Sequence, residues 1–130
     1  MNTLAKEQRW KFLIPYKIST SNRPRVTRHG TYYAKPYQKW RETTDVLLRA
    51  SWKNRAPLDT VISCSIIFNC LGRKQFTKDV DNVAKSIFDA LKNAGIIVDD
   101  RIIVCLKIMK IPSDRDETTI ELALLAVGLG

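Results

Sequence analysis

The chain predicts an α+β fold: a single small domain in the order β-α-β-α-β-β, with a mixed four-stranded sheet and two helices. Three observations predict it. Four runs are rich in β-branched and apolar residues, two stretches repeat apolar residues at helical spacing, and the two kinds alternate before closing on a pair of strands. At 130 residues the chain can bury one core without disulfide staples, and residues 1–130 are expected to form one domain.

"WKFLIPYKI" (10–18) is the first expected strand, and its Pro15 favours an edge or a bulge because proline cannot donate to a sheet ladder. A long basic loop is expected over 19–35, "STSNRPRVTRHGTYYAK", holding the only histidine of the chain. Pro36 suits a first helical turn, so "PYQKWRETTDVLLRASWK" (36–53) is the first helix, with Trp40, Val46 or Leu47, and Ala50 toward the core. "TVISCSIIFNCL" (60–71) is expected as a central strand, followed by the short basic connection "GRKQFTK" (72–78). The second helix runs from about Val80 to Ala94. Val83, Ile87, Leu91 and Ala94 form its apolar stripe, widened by Val80, Ala84 and Phe88. Gly95 fits the left-handed residue that ends a helix. "RIIVCLKIMKI" (101–111) is the third strand, and "TTIELALLAV" (118–127) is expected to return beside it as a hairpin partner. Residues 1–9 and 128–130 are expected to fray.

Charge is unevenly distributed. Residues 1–58 hold 13 Lys and Arg against 3 Asp and Glu, whereas residues 59–130 hold 9 against 10. A basic first half concentrates polyanions and points to nucleic acid as the partner. A membrane surface fits less well, because no basic amphipathic helix with an aromatic face is present. No run approaches the roughly 20 apolar residues of a membrane span, and "MNTLAKEQRW" lacks the apolar core of a secretory signal. Cys64, Cys70 and Cys105 show no zinc spacing and lie in apolar runs, where buried thiols act as small hydrophobes in a reducing cytoplasm. Within the basic loop, Tyr32 and Tyr33 interleave with Arg23, Arg25, Arg28 and Lys35. That pairing serves phosphate contact and base stacking, or else marks a solvated loop.

Four aspartates bracket the second helix. Asp79 falls at the N-cap and Asp81 in the first turn, where carboxylates satisfy free backbone donors and complement the helix dipole. Capping leaves Asp99 and Asp100 unexplained, although a turn accounts for them. The helix carries the chain about 22 Å from Asp81, and five extended residues return at most about 18 Å. The two pairs therefore meet only through close helix–strand packing or through a second subunit. Gathered together, such carboxylates need a hard cation, Mg²⁺ or Mn²⁺, which can activate water toward a phosphodiester. Lys85, one turn after Asp81, either neutralises charge in the transition state or forms an ordinary salt bridge with Asp81 or Asp89. Asn82 either orients a water or decorates the helix start.

The stretch "KDVDNVAKSIFDALKNAGIIVDDRIIV" (78–104) resembles the RusA family of Holliday-junction resolvases, small crossover junction endodeoxyribonucleases often carried by phages and prophages. The shared pattern is D-x-D-N, a lysine three residues later, "FDAL", a glycine, and a D-D pair leading into a strand. The resemblance is looser over "SNRPRVTRHGTYY" and the helix after it.

The resemblance implies a RusA-like homodimer that binds branched DNA, a four-way junction, and nicks two strands symmetrically with Mg²⁺ during DNA recombination and repair. It makes Asp79, Asp81 and Asp100 metal-binding catalytic acids, Lys85 the catalytic lysine, and Asn82 and Asp99 supporting residues. Arg23, Arg25, Arg28, Lys35, Arg73, Lys74 and Lys78 are the candidate DNA contacts. Lys78 stands where the family often has arginine, so charge is kept but a bidentate phosphate grip is not. The competing expectation is a DNA-binding regulatory protein on the same fold with little or no nuclease activity.

Overall fold

The computed structural model describes residues 8–20, 25–28, 30–32 and 35–125. Its centre is β4 (Ile62–Cys70), in which Ile62, Cys64, Ile66, Phe68 and Cys70 are all buried on one face. β6 (Glu117–Leu124) pairs antiparallel on one side of β4, and β5 (Ile103–Pro112) pairs parallel on the other. β1 (Arg9–Ile14) lies outside β6, giving the order β1-β6-β4-β5. The sheet is thus mixed and four-stranded, as the sequence predicts. Pro15 follows the last paired residue of β1, which ends that strand earlier than expected.

The expected hairpin between the last two strands does not form. β6 inserts between β1 and β4, and β5 is left at the sheet edge. The connection crosses the end of β4, where Ser113 N donates to Cys70 O at 2.8 Å and Leu71 N to the Asp116 carboxylate at 2.8 Å. Burial explains the choice. β6 offers Thr118, Ile120 and Leu122 to the core, whereas Val104, Leu106 and Met109 of β5 are 43–57% exposed. Cys105 shares that exposure, so the expectation of three buried thiols fails for it.

The basic loop is also more structured than expected. Its described residues include a two-stranded hairpin, β2 (Arg25–Thr27) and β3 (Gly30–Tyr32), closed by the Thr27–Gly30 pair. Gly30 adopts φ 116, a region glycine enters without a Cβ clash. The basic connection after β4 folds as one helical turn, α2 (Arg73–Phe76), raising the helix number from two to three.

α1 (Lys35–Trp52) buries Tyr37, Trp40, Thr44, Leu48 and Trp52, so the expected aromatic face is core. Val46 and Ala50 point outward and Leu47 is half-buried, which corrects the expected stripe. The register turns on Thr44, whose hydroxyl bonds the Tyr16 hydroxyl at 2.8 Å. α3 (Val80–Asn93) follows the predicted stripe: Val83, Ile87 and Leu91 are fully buried and Ala94 nearly so, while Val80 stays exposed. Two bonds end α3, Gly95 N to Lys92 O at 3.1 Å and Ile96 N to Leu91 O at 3.0 Å, around Gly95 at φ 76. Arg49 ties α1 to α3 by donating to Asn93 O at 2.6 Å. No helix among the described residues is long and apolar enough to cross a membrane.

Leu91→Ala should destabilise the domain by about 2–5 kcal/mol in urea unfolding, from lost burial and the cavity left behind. Gly95→Ala meets no atom within 4 Å, so its expected cost, about 1–2 kcal/mol, is backbone strain alone. Of the three thiols, Cys105 should react with a disulfide reagent in the native state, with Cys70 and Cys64 following only on unfolding. Burial pushes the Cys64 thiol up to about 12.

Candidate metal and DNA site

The two aspartate pairs owe their positions to the parallel pairing of β4 and β5. The crossover that joins those strands carries α3 back across the sheet, with Asp79 and Asp81 at its start and Asp99 and Asp100 beyond its end. Four contacts hold the start. Lys110, near the end of β5, donates from Nζ to Phe76 O at 2.7 Å and Lys78 O at 3.1 Å, and its ammonium sits 5.0 Å from the Phe76 ring centre. Lys78 Nζ in turn reaches Thr20 Oγ1 at 3.4 Å. Partial burial pulls the Lys78 ammonium below its usual pKa. Sequence reasoning missed Lys110, because the carbonyls it binds lie 32 and 34 residues away.

Asp79 occupies the N-cap position with extended backbone, yet its side chain makes no capping bond; only its carbonyl joins the helix, accepting from Val83 N at 3.0 Å. Its carboxylate is exposed and unengaged among the described residues. Asp81 accepts only from the adjacent Asn82 N, at 3.1 Å. The capping reading therefore fails for Asp79, while Asp81 meets one free donor of the first turn. Lys85 is exposed and forms no ion pair with Asp81 or Asp89, leaving its ammonium free among the described residues. Asn82, beside Asp81 in the first turn, is half-buried.

The far end is fastened separately. Leu58 N donates to Ile96 O at 2.8 Å and Val98 N to Leu58 O at 3.0 Å, while Ile96, Ile97 and Ile102 are buried. Asp99 then opens a short 3₁₀ turn (Asp100–Ile102), accepting from Arg101 N at 3.3 Å. The neighbouring carboxyl holds Asp99 below the usual carboxylate range and pushes Asp100 above it.

The pairs do not meet within one chain. Fourteen residues of helix rise about 21 Å, and the charges acting on Asp100 are those of Asp99, Lys92 and Asp89, at its own end of α3. Among the described residues no group of three or more His, Cys, Asp or Glu side chains gathers to hold a metal. The donor chemistry at each end nonetheless suits a hard divalent ion: only oxygen ligands, two exposed carboxylates at the α3 start without strong protein partners, and at the other end two adjacent carboxyls whose mutual repulsion a cation would relieve.

Of the candidate DNA contacts, Arg28, Lys35, Arg73 and Lys74 are exposed, and Lys78 is half-buried. Arg23, His29 and Tyr33, and the side chains of Arg25 and Tyr32, lie outside the described residues.

Comparison with known proteins gives the chain its family. The family model described as endodeoxyribonuclease RusA covers residues 15–123, and the chain belongs to that family. It is similar to the crossover junction endodeoxyribonuclease RusA of Escherichia coli O139:H28 (strain E24377A / ETEC), at 24% identity over 106 residues, covering 79% of this chain and 83% of the relative.

Lys110→Met keeps the stem of the side chain but removes both bonds to the turn before Asp79. About 1 kcal/mol should be lost in urea unfolding, since the bonds are only partly shielded from water.

Proposed function

We propose that this protein is a structure-selective endodeoxyribonuclease that resolves four-way (Holliday) DNA junctions in the cytoplasm, acting as a homodimer with Mg²⁺ or Mn²⁺. One observation carries the reading. The acids stand at opposite ends of α3, alongside a parallel strand, β5, that lies at the sheet edge with Val104, Leu106 and Met109 exposed.

β5 starts beside Asp100 and ends at Lys110 and Pro112, next to the turn that leads into Asp79. Two β5 strands paired antiparallel about a two-fold axis would set the Asp99–Asp100 end of each subunit near the Asp79–Asp81 end of the other. Two equivalent composite sites would result, which suits two symmetric nicks. When bound, the divalent ion would supply an acidified water for attack and neutralise charge at phosphorus. Asp79, Asp81 and Asp100 would hold it, with Asp99 and Asn82 orienting the carboxyl groups. The free Lys85 ammonium, on the same helix side as Asp81, would stabilise the charge that develops on the phosphoryl oxygens. Arg73, Lys74 and Lys78, on the turn leading into Asp79, would grip the neighbouring backbone phosphates, and binding should weaken steeply with salt.

Asp81→Asn should bind a synthetic four-way junction normally but cut it at least about 10²-fold more slowly in Mg²⁺, as for loss of one major electrostatic contributor. Mixing subunits tests the shared site. Asp81→Asn and Asp100→Asn proteins should each be inactive alone, yet refolded together they should nick one strand, because half of the sites in a mixed dimer regain all their acids. No nicking by the mixture, with wild type active, would place each site within one subunit. Junction binding without any metal-dependent cutting by wild type would favour a regulatory protein.

A further inference from the structure

A cleft of about 370 Å³ opens beside the turn that carries Asp79, between the segment after β1, the first two turns of α1, and α2. Its walls are unlike the acidic helix ends. Ile18 and Trp40 are buried in them, Tyr16 and Pro36 complete an apolar and aromatic surface, and Lys17, Lys39 and Lys78 bring three cations. No Asp or Glu among the described residues lines it. Lys17 and Lys39 are exposed and form no ion pair among the described residues, so their charge is available.

Two side chains of the cleft, Trp40 and Gln75, carry unmet hydrogen-bonding capacity. Gln75 is 8% and Trp40 7% exposed, and Gln75 Oε1 and Trp40 Nε1 are buried without a partner among the described residues. A buried acceptor and a buried donor left unpaired are costly, and native proteins retain few of them. An aromatic and apolar wall, an amide, and a lysine rim together match a nucleotide: a flat base to stack, edge groups to bond, and phosphate to hold by charge. The volume lies within the range of small-ligand sites.

We infer that this cleft receives one unpaired nucleotide of the bound DNA strand, its base against Trp40 and Tyr16 and its phosphate between Lys39 and Lys78. The inference rests on the nuclease reading, and deepens it by giving the enzyme a way to sense a strand that has left the duplex at a branch point. Lys78 directly precedes Asp79, so a nucleotide held here fixes the adjoining phosphodiester close to the acids.

Indole N–H resonances of the full chain provide the test, recorded in EDTA so that no cutting occurs. The chain has three tryptophans, Trp10, Trp40 and Trp52, and Trp40→Phe identifies the signal concerned. Titration with the trinucleotide d(T)₃ should move the Trp40 signal and leave those of Trp10 and Trp52 in place, while a blunt duplex should not move it. Thr43→Phe, which crowds the cleft at an exposed position without altering charge, should weaken d(T)₃ binding about tenfold, the loss of one stacked base. A Trp40 signal unmoved by d(T)₃, or moved equally by blunt duplex, overturns the inference. Movement by thymidine 5′-monophosphate but not by d(T)₃ also overturns it, since the ligand would then be a free nucleotide. Wild-type cutting of a four-way junction in Mg²⁺, measured in parallel, separates the readings: cutting with a silent Trp40 removes the cleft alone, and a responsive Trp40 without cutting removes the nuclease.

Discussion

Parallel pairing of β4 with β5 governs the arrangement of this domain. Strands that run the same way cannot be joined by a tight turn, so the chain must climb back across the sheet, and α3 is that climb. The exposed carboxylates of Asp79 and Asp81 and the adjacent pair Asp99 and Asp100 owe their places to where the crossing begins and ends. α3 is held in place by a fully buried face, Val83, Ile87 and Leu91, each side chain contributing roughly 1.5–3 kcal/mol by leaving water. The acids therefore ride on a rigid element, and the free energy that positions them comes from the core rather than from contacts of their own.

What the sequence disclosed follows from which interactions are local. The stripe and the terminus of α3 are set by spacing within one helix, so periodicity and Gly95 were enough to find them. The face of α1 was only half legible. Thr44 is buried because a hydroxyl 28 residues away meets it, and a count of apolar residues passes over such a pair. The neighbours of β6 were illegible for the same reason. A short charged connection between two strands has the signature of a hairpin, and only the bonds from Ser113 and to Asp116 show the chain passing over the end of β4 instead.

The candidate site divides along the same line. The pattern of acids around the helix was visible residue by residue, and it led to the RusA family that the whole-domain match supports. Whether those acids are occupied by capping and salt bridging was not visible, since position alone assigns a cap to Asp79 and a partner to Lys85. Among the described residues both groups are unengaged. Trp40 and Gln75 were hidden from the sequence for a different reason: an aromatic on a helix face and an amide in a basic connection are ordinary, and only their orphaned polar atoms set them apart.

The reach of Lys110 has a mechanical meaning. It stands on the outermost strand, the edge proposed to receive a second subunit, and it grips the two carbonyls of the turn that aims Asp79. In the proposed dimer, subunit docking and the set of the acidic loop would share a single lever. A lone subunit, with that edge unbraced, would hold its acids less firmly, which on this proposal would guard against cutting DNA before assembly.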